Sequence, residues 1–136
     1  MINHFMQRAL ALAKLAEQKG EVPIGAVLVL NNEIIGEGYN QPISSHDPTA
    51  HAEIVALRNA AQKIKNYRLV DTELYVTLQP CAMCMGALVH ARVKRVVFGA
   101  SRNIGPDITN HDVVYEQGAM QEECRALLME FFLRRR

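Results

Sequence analysis

Two short motifs decide how this chain is interpreted: His51-Ala52-Glu53 and Pro80-Cys81-Ala82-Met83-Cys84. Between them they supply one imidazole, two thiols and one carboxylate. A catalytic zinc site takes three protein ligands and keeps its fourth position for water, so one histidine and two cysteines make a complete set with an open position. We therefore predict that the histidine and both cysteines bind zinc, one ion per subunit, and that the carboxylate of Glu53 stays free to move protons.

Each motif is expected to begin a helix. Cys81 and Cys84 are three residues apart, so a helix that begins after Pro80 projects both sulfurs from one face of its first turn. The positive end of the helix dipole, together with the metal, favours the thiolate form. The sequence Asp47-Pro48-Thr49 is typical of a turn followed by capping residues, which would place His51 at the start of a second helix. Two helix N-termini are thus predicted to face one metal.

The four groups suit one type of chemistry. Zinc lowers the pKa of a bound water towards neutrality, and the resulting hydroxide can attack an electron-poor ring carbon that bears an amino group. Glu53 would take the proton from the water, pass it to a ring nitrogen and assist the departure of ammonia. The same order of residues, H-x-E followed by P-C-x-x-C, is a signature of zinc-dependent base deaminases.

Other interpretations of the same residues exist. A C-x-x-C pair alone could be a redox dithiol or half of a structural zinc site, and structural sites normally have four protein ligands. Cys124 is the only other cysteine, and because it lies in a helical apolar stripe we predict a small buried thiol. Glu53 could be merely a favourable acid in a first helical turn. A non-catalytic zinc module and a redox protein are therefore alternatives, although neither needs both motifs.

Composition limits the class of protein. The chain has 136 residues, 49% of them apolar, which predicts a single domain over residues 1–136. Three cysteines leave no disulfide framework and suit a reducing compartment, so we expect a cytoplasmic location. No segment is typical of a signal peptide or a membrane span, so no membrane partner is expected.

The charge pattern is less informative. A net charge of +1 does not indicate a nucleic-acid-binding domain, which usually carries a clear basic excess. Basic residues nevertheless cluster locally, and each cluster could contact either solvent or phosphate. The clusters are Lys63, Lys65 and Arg68; Arg92, Lys94, Arg95 and Arg102; and Arg134, Arg135 and Arg136.

The hydrophobic pattern predicts an α/β domain, with helices covering both faces of one mixed sheet. A hairpin of two buried strands is indicated by an apolar run, a two-residue Asn31-Asn32 turn and a second apolar segment. The remaining segments show helical or strand periodicity. Helices are predicted over residues 2–19, 50–64, 82–91 and 120–131, further strands over residues 74–78, 93–99 and 112–115, and a loop over residues 101–109.

Longer stretches carry a specific resemblance. They are residues 21–29, 35–40, 46–53 and 66–69, the last leading through the cysteines to Gly99. On these residues the chain resembles the bacterial tRNA-specific adenosine deaminases, within the cytidine-deaminase-like zinc enzymes. The zinc motifs alone would indicate only the superfamily. The conjunction of His46-Asp47-Pro48-Thr49-Ala50 with Asn66-Tyr67-Arg68-Leu69 points to the tRNA branch.

This resemblance implies a three-layer α/β/α fold with a central mixed sheet of about five strands. It also implies a zinc-dependent hydrolase that acts on amidine C–N bonds and converts adenosine to inosine at the wobble position of a tRNA anticodon, in bacteria chiefly that of an arginine tRNA. A homodimer is implied, and no DNA partner is expected. Within the same superfamily, the alternative is a small-molecule guanine or cytosine deaminase with the same zinc chemistry.

Site residues carry over by motif position. His51, Cys81 and Cys84 would hold zinc, Glu53 would shuttle protons, and Asn40 would contact the flipped-out nucleoside. Without the resemblance, Asn40 is equally well explained as an ordinary turn residue.

Four further residues are substrate-binding candidates. The backbone N–H groups near Ala52 could hold the edge of the base, because the first N–H groups of a helix have no intrahelical partner. Tyr39, His46 and Arg68 are candidates to line the path of a single-stranded loop, whose unstacked bases can be drawn into a pocket.

The chain departs from the family pattern in two places. Gln79 precedes Pro80 where family members usually have Glu, so a hydrogen bond could be kept there but not a charge. Residues 101–109 are shorter than the corresponding family loop and unlike it. The ending, from Phe131 to Arg136, again resembles the family and could contact RNA, or it could simply complement the dipole of a helix.

Overall fold

The apolar run after Ile24 forms an interior strand of the sheet, β1 (Gly25–Leu30), in which all residues but the last are buried. The computed structural model describes residues 2–102, 113–118 and 120–134, and the side chains from residue 4 onward. Asn31 and Asn32 both have positive φ (52° and 64°), as a tight two-residue hairpin turn requires. They lead into β2 (Glu33–Tyr39), so the predicted hairpin is confirmed.

Helices and strands alternate after the hairpin. The helices of the described chain are α1 (Ile2–Gln18), α2 (Pro42–Ser45), α3 (Ala52–Ile64), α4 (Ala82–Ala91) and α5 (Gln121–Arg134). The other strands are β3 (Glu73–Leu78), β4 (Arg95–Ala100) and β5 (Val114–Gln117). The strand order is β2-β1-β3-β4-β5, with β1 antiparallel to both of its neighbours and β3, β4 and β5 parallel to one another. The expected mixed sheet of about five strands is confirmed.

Helices cover both faces of this sheet. Ala26 and Leu28 of β1 belong to a core cluster with residues of α3 and α4. Their neighbours Val27 and Val29 belong to a second cluster with residues of α1 and α5. Alternate residues of a strand point to opposite faces, so one strand contributes to both cores. The predicted three-layer α/β/α arrangement is therefore confirmed.

Helix α3 lies directly on β2, because β2 has glycine where the helix crosses it. A Cβ atom at Gly38 would come within 2.2 Å of the carbonyl oxygen of Ala52, and one at Gly36 within 2.4 Å of that of Ala56. Neither approach is possible for a residue with a side chain unless the helix moves. The two glycines thus fix the height of the N-terminal half of α3 above the sheet.

The observed elements differ from the predicted ones in a few places. Helix α3 begins at Ala52 and not at residue 50, because His51 has extended backbone angles and acts as its N-cap. Helix α2 was not predicted. The last strand lies at Val114–Gln117, slightly later than residues 112–115. Residue 112 and residues 103–109 of the predicted loop lie outside the described residues. Within the described part of the chain, no helix is long and apolar enough to cross a membrane.

The glycine contact can be tested with Gly38→Ala. The added methyl group would collide with the backbone of α3, so we expect the free energy of unfolding to fall by about 1–3 kcal/mol, the usual cost of overpacking. Gly86→Ala is the matched control: this exposed residue of α4 has no atom within 4 Å of an added Cβ. It should gain up to about 1 kcal/mol, as alanine does over glycine in a helix. Denaturant unfolding measures both changes, and a Gly38→Ala protein as stable as the parent would contradict the packing.

Candidate metal centre and base pocket

The first ligand is carried by the start of α3. Asp47 accepts hydrogen bonds through Oδ1 from the backbone N–H of Thr49 (2.9 Å) and from its hydroxyl (2.8 Å), and this turn leads the chain towards the helix. The pKa of the Asp47 carboxyl is held below its usual range by Thr49 first and then by Arg58, which donates to Oδ2. His51 follows as the N-cap, and its carbonyl accepts from Val55 N–H. The predicted turn and helix start are confirmed.

The two thiols are carried by the start of α4. Cys81 is the N-cap of this helix, with extended backbone angles, and its carbonyl accepts from the N–H of Met85. Cys84 lies one turn later and is fully buried. The third cysteine, Cys124, lies apart in α5, where it is buried against β4, and burial raises the pKa of its thiol to about 12. Its prediction as a buried structural thiol is confirmed.

The imidazole and the thiols meet. His51 Nδ1 lies 3.6 Å from Cys81 Sγ and 3.5 Å from Cys84 Sγ, and all three ligand atoms lie within 4.8 Å of one another. Tetrahedral zinc, with Zn–N of about 2.0–2.1 Å and Zn–S of about 2.3 Å, separates a nitrogen and a sulfur ligand by about 3.5–3.6 Å. The three residues therefore fit zinc, and they fit it through Nδ1 of the histidine.

Burial shifts the pKa values of two of the ligands, His51 and Cys84. Burial first, and then the charge of Arg102, lowers the pKa of His51, which favours the neutral imidazole that metals require. At Cys84, burial and then the nearby Glu53 and Cys81 raise the pKa of the thiol well above its ordinary range. The helix N-terminus alone therefore does not produce a thiolate at Cys84. A bound divalent cation would have to supply that stabilisation.

Glu53 lies beside the ligands but is not one of them. It is only 4% exposed and sits in the first turn of α3. Burial raises the pKa of its carboxyl to about 7, against smaller lowering contributions from its own backbone N–H, Arg102 and the Cys84 thiol. A group with a pKa near the working pH both accepts and donates protons readily, which is the property that general acid–base catalysis needs.

A cavity of about 240 Å³ opens beside His51, one of the three ligand residues. Its walls combine His51 and Glu53 with Asn40, Arg102 and an apolar set of Val22, Ile24, Leu78 and Phe132. This volume lies below the range of about 300–1,000 Å³ that is usual for small-molecule sites. It therefore suits a single heterocyclic base better than a whole nucleotide.

Asn40 is the polar group best placed in this cavity after Glu53. It is 7% exposed, its backbone N–H donates to the carbonyl of Ile24, and among the described residues its side-chain amide has no hydrogen-bond partner. Ala52 is fully buried as the first residue of α3, so its N–H belongs to the group that has no partner within the helix. The structure thus places both predicted residues at or beside the cavity.

The other three substrate-binding candidates lie outside the cavity wall. Tyr39 ends β2 under the ammonium group of Lys19 (5.6 Å), and His46 is exposed at the end of α2. Arg68 lies at the far end of α4, because the next residue, Leu69, donates its N–H to Ala91 (2.7 Å). This end is about 15 Å from Cys81, given a rise of about 1.5 Å per residue. A role for these three in binding substrate stays a prediction.

The basic cluster of residues 92–102 does not stay together in the structure. Arg95 begins β4 and pairs with Glu73 (2.9 Å) and Glu116. Lys94 precedes the same strand, whereas Arg102 follows its other end at the cavity. Residues at opposite ends of a strand cannot form one basic surface, so only Arg102 of this cluster reaches the site.

One contributor to the site was not identified from the sequence. The buried carboxylate of Glu21 accepts hydrogen bonds from the backbone N–H groups of Ser44 (2.7 Å) and Ile43 (3.3 Å), and so anchors α2 next to Asn40. These contacts span more than twenty residues, so no local signal indicates them. Phe132, from the C-terminal segment for which the sequence allows RNA contact, closes one side of the cavity.

Comparisons with known proteins agree with this geometry. Residues 1–100 match the family model described as the cytidine and deoxycytidylate deaminase zinc-binding region. The tRNA-specific adenosine deaminase of Buchnera aphidicola subsp. Baizongia pistaciae is 52% identical over 98% of this chain and 89% of its own length.

Two solved structures extend the comparison. A structure from a study of A-to-I editing by tRNA:A34 deaminases is 36% identical with a TM-score of 0.86, covering 93% of this chain and 99% of the other. A guanine deaminase from Bacillus subtilis is 32% identical with a TM-score of 0.71, covering 98% of this chain and 92% of the other.

The metal centre predicts which substitutions remove zinc. We expect about one zinc ion per chain in the parent protein, and loss of most of it in Cys84→Ala, because a three-ligand site does not survive the loss of a buried thiolate. Cys124→Ala, which removes the thiol outside the cluster, is the control and should keep its zinc. Metal analysis of the purified proteins measures the number of zinc ions per chain in each of them. A Cys84→Ala protein with full zinc content would show that the metal binds elsewhere.

The anchor formed by Glu21 predicts a pH-dependent contribution to stability. Burial alone would raise the pKa of this carboxyl, but the hydrogen bonds from Ser44 and Ile43 outweigh it and lower the pKa. A group with a lowered folded-state pKa stabilises the fold above its unfolded pKa of about 4.3, and this contribution is lost as the pH falls through the folded value. Glu21→Gln should therefore cost about 1.5–3 kcal/mol at pH 7.

The same cost should shrink as the pH falls below about 4, where the parent carboxyl becomes protonated. Paired unfolding curves of parent and Glu21→Gln protein at several pH values measure the difference directly. A difference of the same size at pH 7 and at low pH would contradict the anchoring role of the ionised carboxylate.

Proposed function

This chain belongs to the zinc-binding cytidine and deoxycytidylate deaminase family, and from that premise we propose that it converts adenosine to inosine at the wobble position of a tRNA anticodon. An arginine tRNA is the proposed substrate, as the family resemblance implies. The observation that carries the proposal is the buried Glu53 carboxylate, which lies beside a zinc-compatible cluster and faces a cavity of the size of a base. The high identity to relatives named tRNA-specific adenosine deaminase supports adenosine in tRNA as the substrate.

The proposed reaction is a hydrolysis. Zinc held by His51, Cys81 and Cys84 would supply the Lewis acidity that makes a water molecule nucleophilic near neutral pH. The water oxygen bonds to C6 of adenine, the bond between C6 and the amino nitrogen breaks, and ammonia leaves. Glu53 takes one proton from the water at its carboxylate and delivers it to N1 of the ring. It then takes the second proton from the hydroxyl on C6 and passes it to the departing amino group, so that the C6=O bond of inosine forms as ammonia leaves.

The rest of the cavity positions the base for this reaction. The free amide of Asn40 has both a donor and an acceptor to offer the nucleoside. The N–H groups at the start of α3, around Ala52, have no partner within the helix and lie between two residues of the cavity wall, His51 and Glu53, so they would suit the edge of the ring or a developing negative charge. Val22, Ile24 and Leu78 supply the apolar walls that exclude bulk water. These residues orient the ring while Glu53 moves the protons.

The cavity would admit only an extruded base. An anticodon loop presents unstacked nucleotides, so extracting one of them costs less than flipping a base out of a duplex. We propose that the protein acts as a homodimer in the cytoplasm. Exposed apolar side chains such as Ile43 (70% exposed) and Tyr67 (78% exposed) support association, and three free cysteines suit a reducing compartment.

The activity test uses an RNA stem-loop of the arginine tRNA anticodon with adenosine at the wobble position. The zinc-loaded parent protein should convert this adenosine to inosine and leave free adenosine, guanine and cytosine unchanged. Glu53→Ala should reduce the rate by at least about 10²-fold, since proton transfer by a positioned group contributes about 10²–10⁴-fold, while its zinc content stays that of the parent.

Other outcomes would redirect the assignment. Turnover of free guanine or cytosine without turnover of RNA would place the protein with the nucleobase deaminases. A Glu53→Ala protein that made inosine at the parent rate would remove Glu53 from the reaction.

A further inference from the structure

Arg102 occupies a position that the proposed reaction does not use. It follows β4 and lines the base cavity together with Glu53. It also lines a second, larger cavity of about 450 Å³ that shares Val22, Leu78 and Phe132 with the first. We refer to this second cavity, bounded further by Arg125, Leu128 and Met129 of α5, as the α5 groove. Arg102 therefore stands at the junction between the base cavity and the surface next to it.

Gln79 holds Arg102 in this position. The backbone N–H of Arg102 donates to Gln79 Oε1 (2.9 Å), and the Nε–H of its guanidinium donates to the backbone carbonyl of Gln79 (2.7 Å). Gln79 is itself tied to β4, because its N–H donates to the carbonyl of Ala100 (2.9 Å). Only one edge of the guanidinium is used by these bonds, so within the part of the chain that the structure describes its terminal Nη groups stay available to a ligand.

Among the described residues, no carboxylate forms an ion pair with Arg102, although its charge acts on the buried Glu53 carboxyl and offsets part of the rise in pKa that burial causes there. Four of the other arginines of the described chain form ion pairs: Arg8 with Glu37, Arg58 with Asp47, Arg95 with Glu73 and Glu116, and Arg134 with Glu130. Among the described residues, Arg102 has no such partner, because the residue that holds it is the neutral Gln79. A glutamate at position 79 would place a carboxylate against the backbone N–H of Arg102, and so a negative charge next to the residue that carries the guanidinium. The chain therefore presents an exposed positive charge at the mouth of the base cavity.

The α5 groove next to this charge has the chemistry of a single-strand binding surface. Phe132 is 54% exposed and Met129 is 52% exposed, and both border the groove together with Arg125. Proteins that bind single-stranded nucleic acids combine aromatic platforms with cations that follow the phosphate backbone. A guanidinium also suits phosphate, because its planar fork makes two parallel hydrogen bonds to it.

We propose that Arg102, held by Gln79, binds a phosphate of the RNA strand adjacent to the nucleoside in the base cavity, and so positions that nucleoside. This proposal rests on the proposed function, since it takes single-stranded RNA as the ligand. The charge of Arg102 offsets part of the rise in pKa that burial causes at Glu53, but the residue itself contacts the phosphate and not the reacting atoms. Its loss should therefore raise KM much more than it lowers kcat.

The test measures binding apart from turnover. Zinc-loaded protein carrying Glu53→Gln is titrated with the labelled anticodon stem-loop at several salt concentrations, alone and combined with Arg102→Ala, Arg102→Lys, Gln79→Glu or Lys94→Ala. Lys94 is the matched control, because it is an exposed cation at the opposite end of β4. Thermal unfolding of each protein checks that the fold is retained.

Arg102→Ala should weaken binding about tenfold or more, as expected for the loss of a hydrogen bond to a charged group. It should also reduce the slope of log Kd against log salt by about 0.7, the value for one phosphate contact on a single strand. Arg102→Lys should keep the slope and lose part of the affinity, since lysine retains the charge without the fork. Gln79→Glu should act like Arg102→Ala, and Lys94→Ala should change neither quantity.

The outcomes separate this inference from the proposed function. If the parent protein makes inosine but Arg102→Ala leaves the affinity and the salt slope unchanged, the proposal for Arg102 is overturned and the deaminase activity stands. An equal loss of affinity in Lys94→Ala would also overturn the proposal, because a cation far from the cavity would then contribute as much to binding as Arg102. If binding depends on Arg102 but no inosine forms, the phosphate site stands and the proposed function fails. If none of the proteins binds the stem-loop, both fail.

Discussion

The site depends on two helices beginning at the same place above the sheet. Helix α3 is held against β2 by contacts that only glycine permits at positions 36 and 38, and α4 begins directly after β3. As a result, the N-caps of the two helices, His51 and Cys81, bring their side chains into contact. A helix displaced by the thickness of one methyl group would separate ligand atoms that now lie 3.5–3.6 Å apart. The tight packing of the layers is thus a requirement of the chemistry as well as of the fold.

The same convergence creates an electrostatic problem that a cation solves. Glu53 and Cys84 are both buried, and burial raises the pKa of each group, because a low-dielectric interior disfavours negative charge. Two helix N-termini offset part of this cost through their positive ends. A divalent cation bound to the thiols would offset far more of this cost, because its charge favours the ionised forms of both groups. In this arrangement, burial raises the pKa of the Glu53 carboxyl, and a carboxyl with a raised pKa is suited to proton transfer.

Much of this arrangement could be predicted from the sequence, because its signals are local. The spacing of Cys81 and Cys84, the capping turn before His51 and the Asn31-Asn32 hairpin are set within a few residues, and all three appear as predicted. What could not be predicted depends on distant contacts. Glu21 anchors a short helix more than twenty residues away. The positive charge of Arg95 is paired with glutamates on the two neighbouring strands.

Helix α2 illustrates the same limit. Its four residues carry no helical periodicity, and its N-terminal N–H groups are satisfied by a carboxylate that follows α1. Such contacts become visible only when the layers are assembled.

The zinc site depends on more local features: two cysteines and one histidine nitrogen are expected to hold zinc and to leave one coordination position open. Zinc X-ray absorption spectroscopy of the loaded protein tests it directly. The account predicts two sulfur neighbours at about 2.3 Å and two nitrogen or oxygen neighbours at about 2.0–2.1 Å, one of them from solvent. A shell of four sulfur atoms, or one without sulfur, would contradict it.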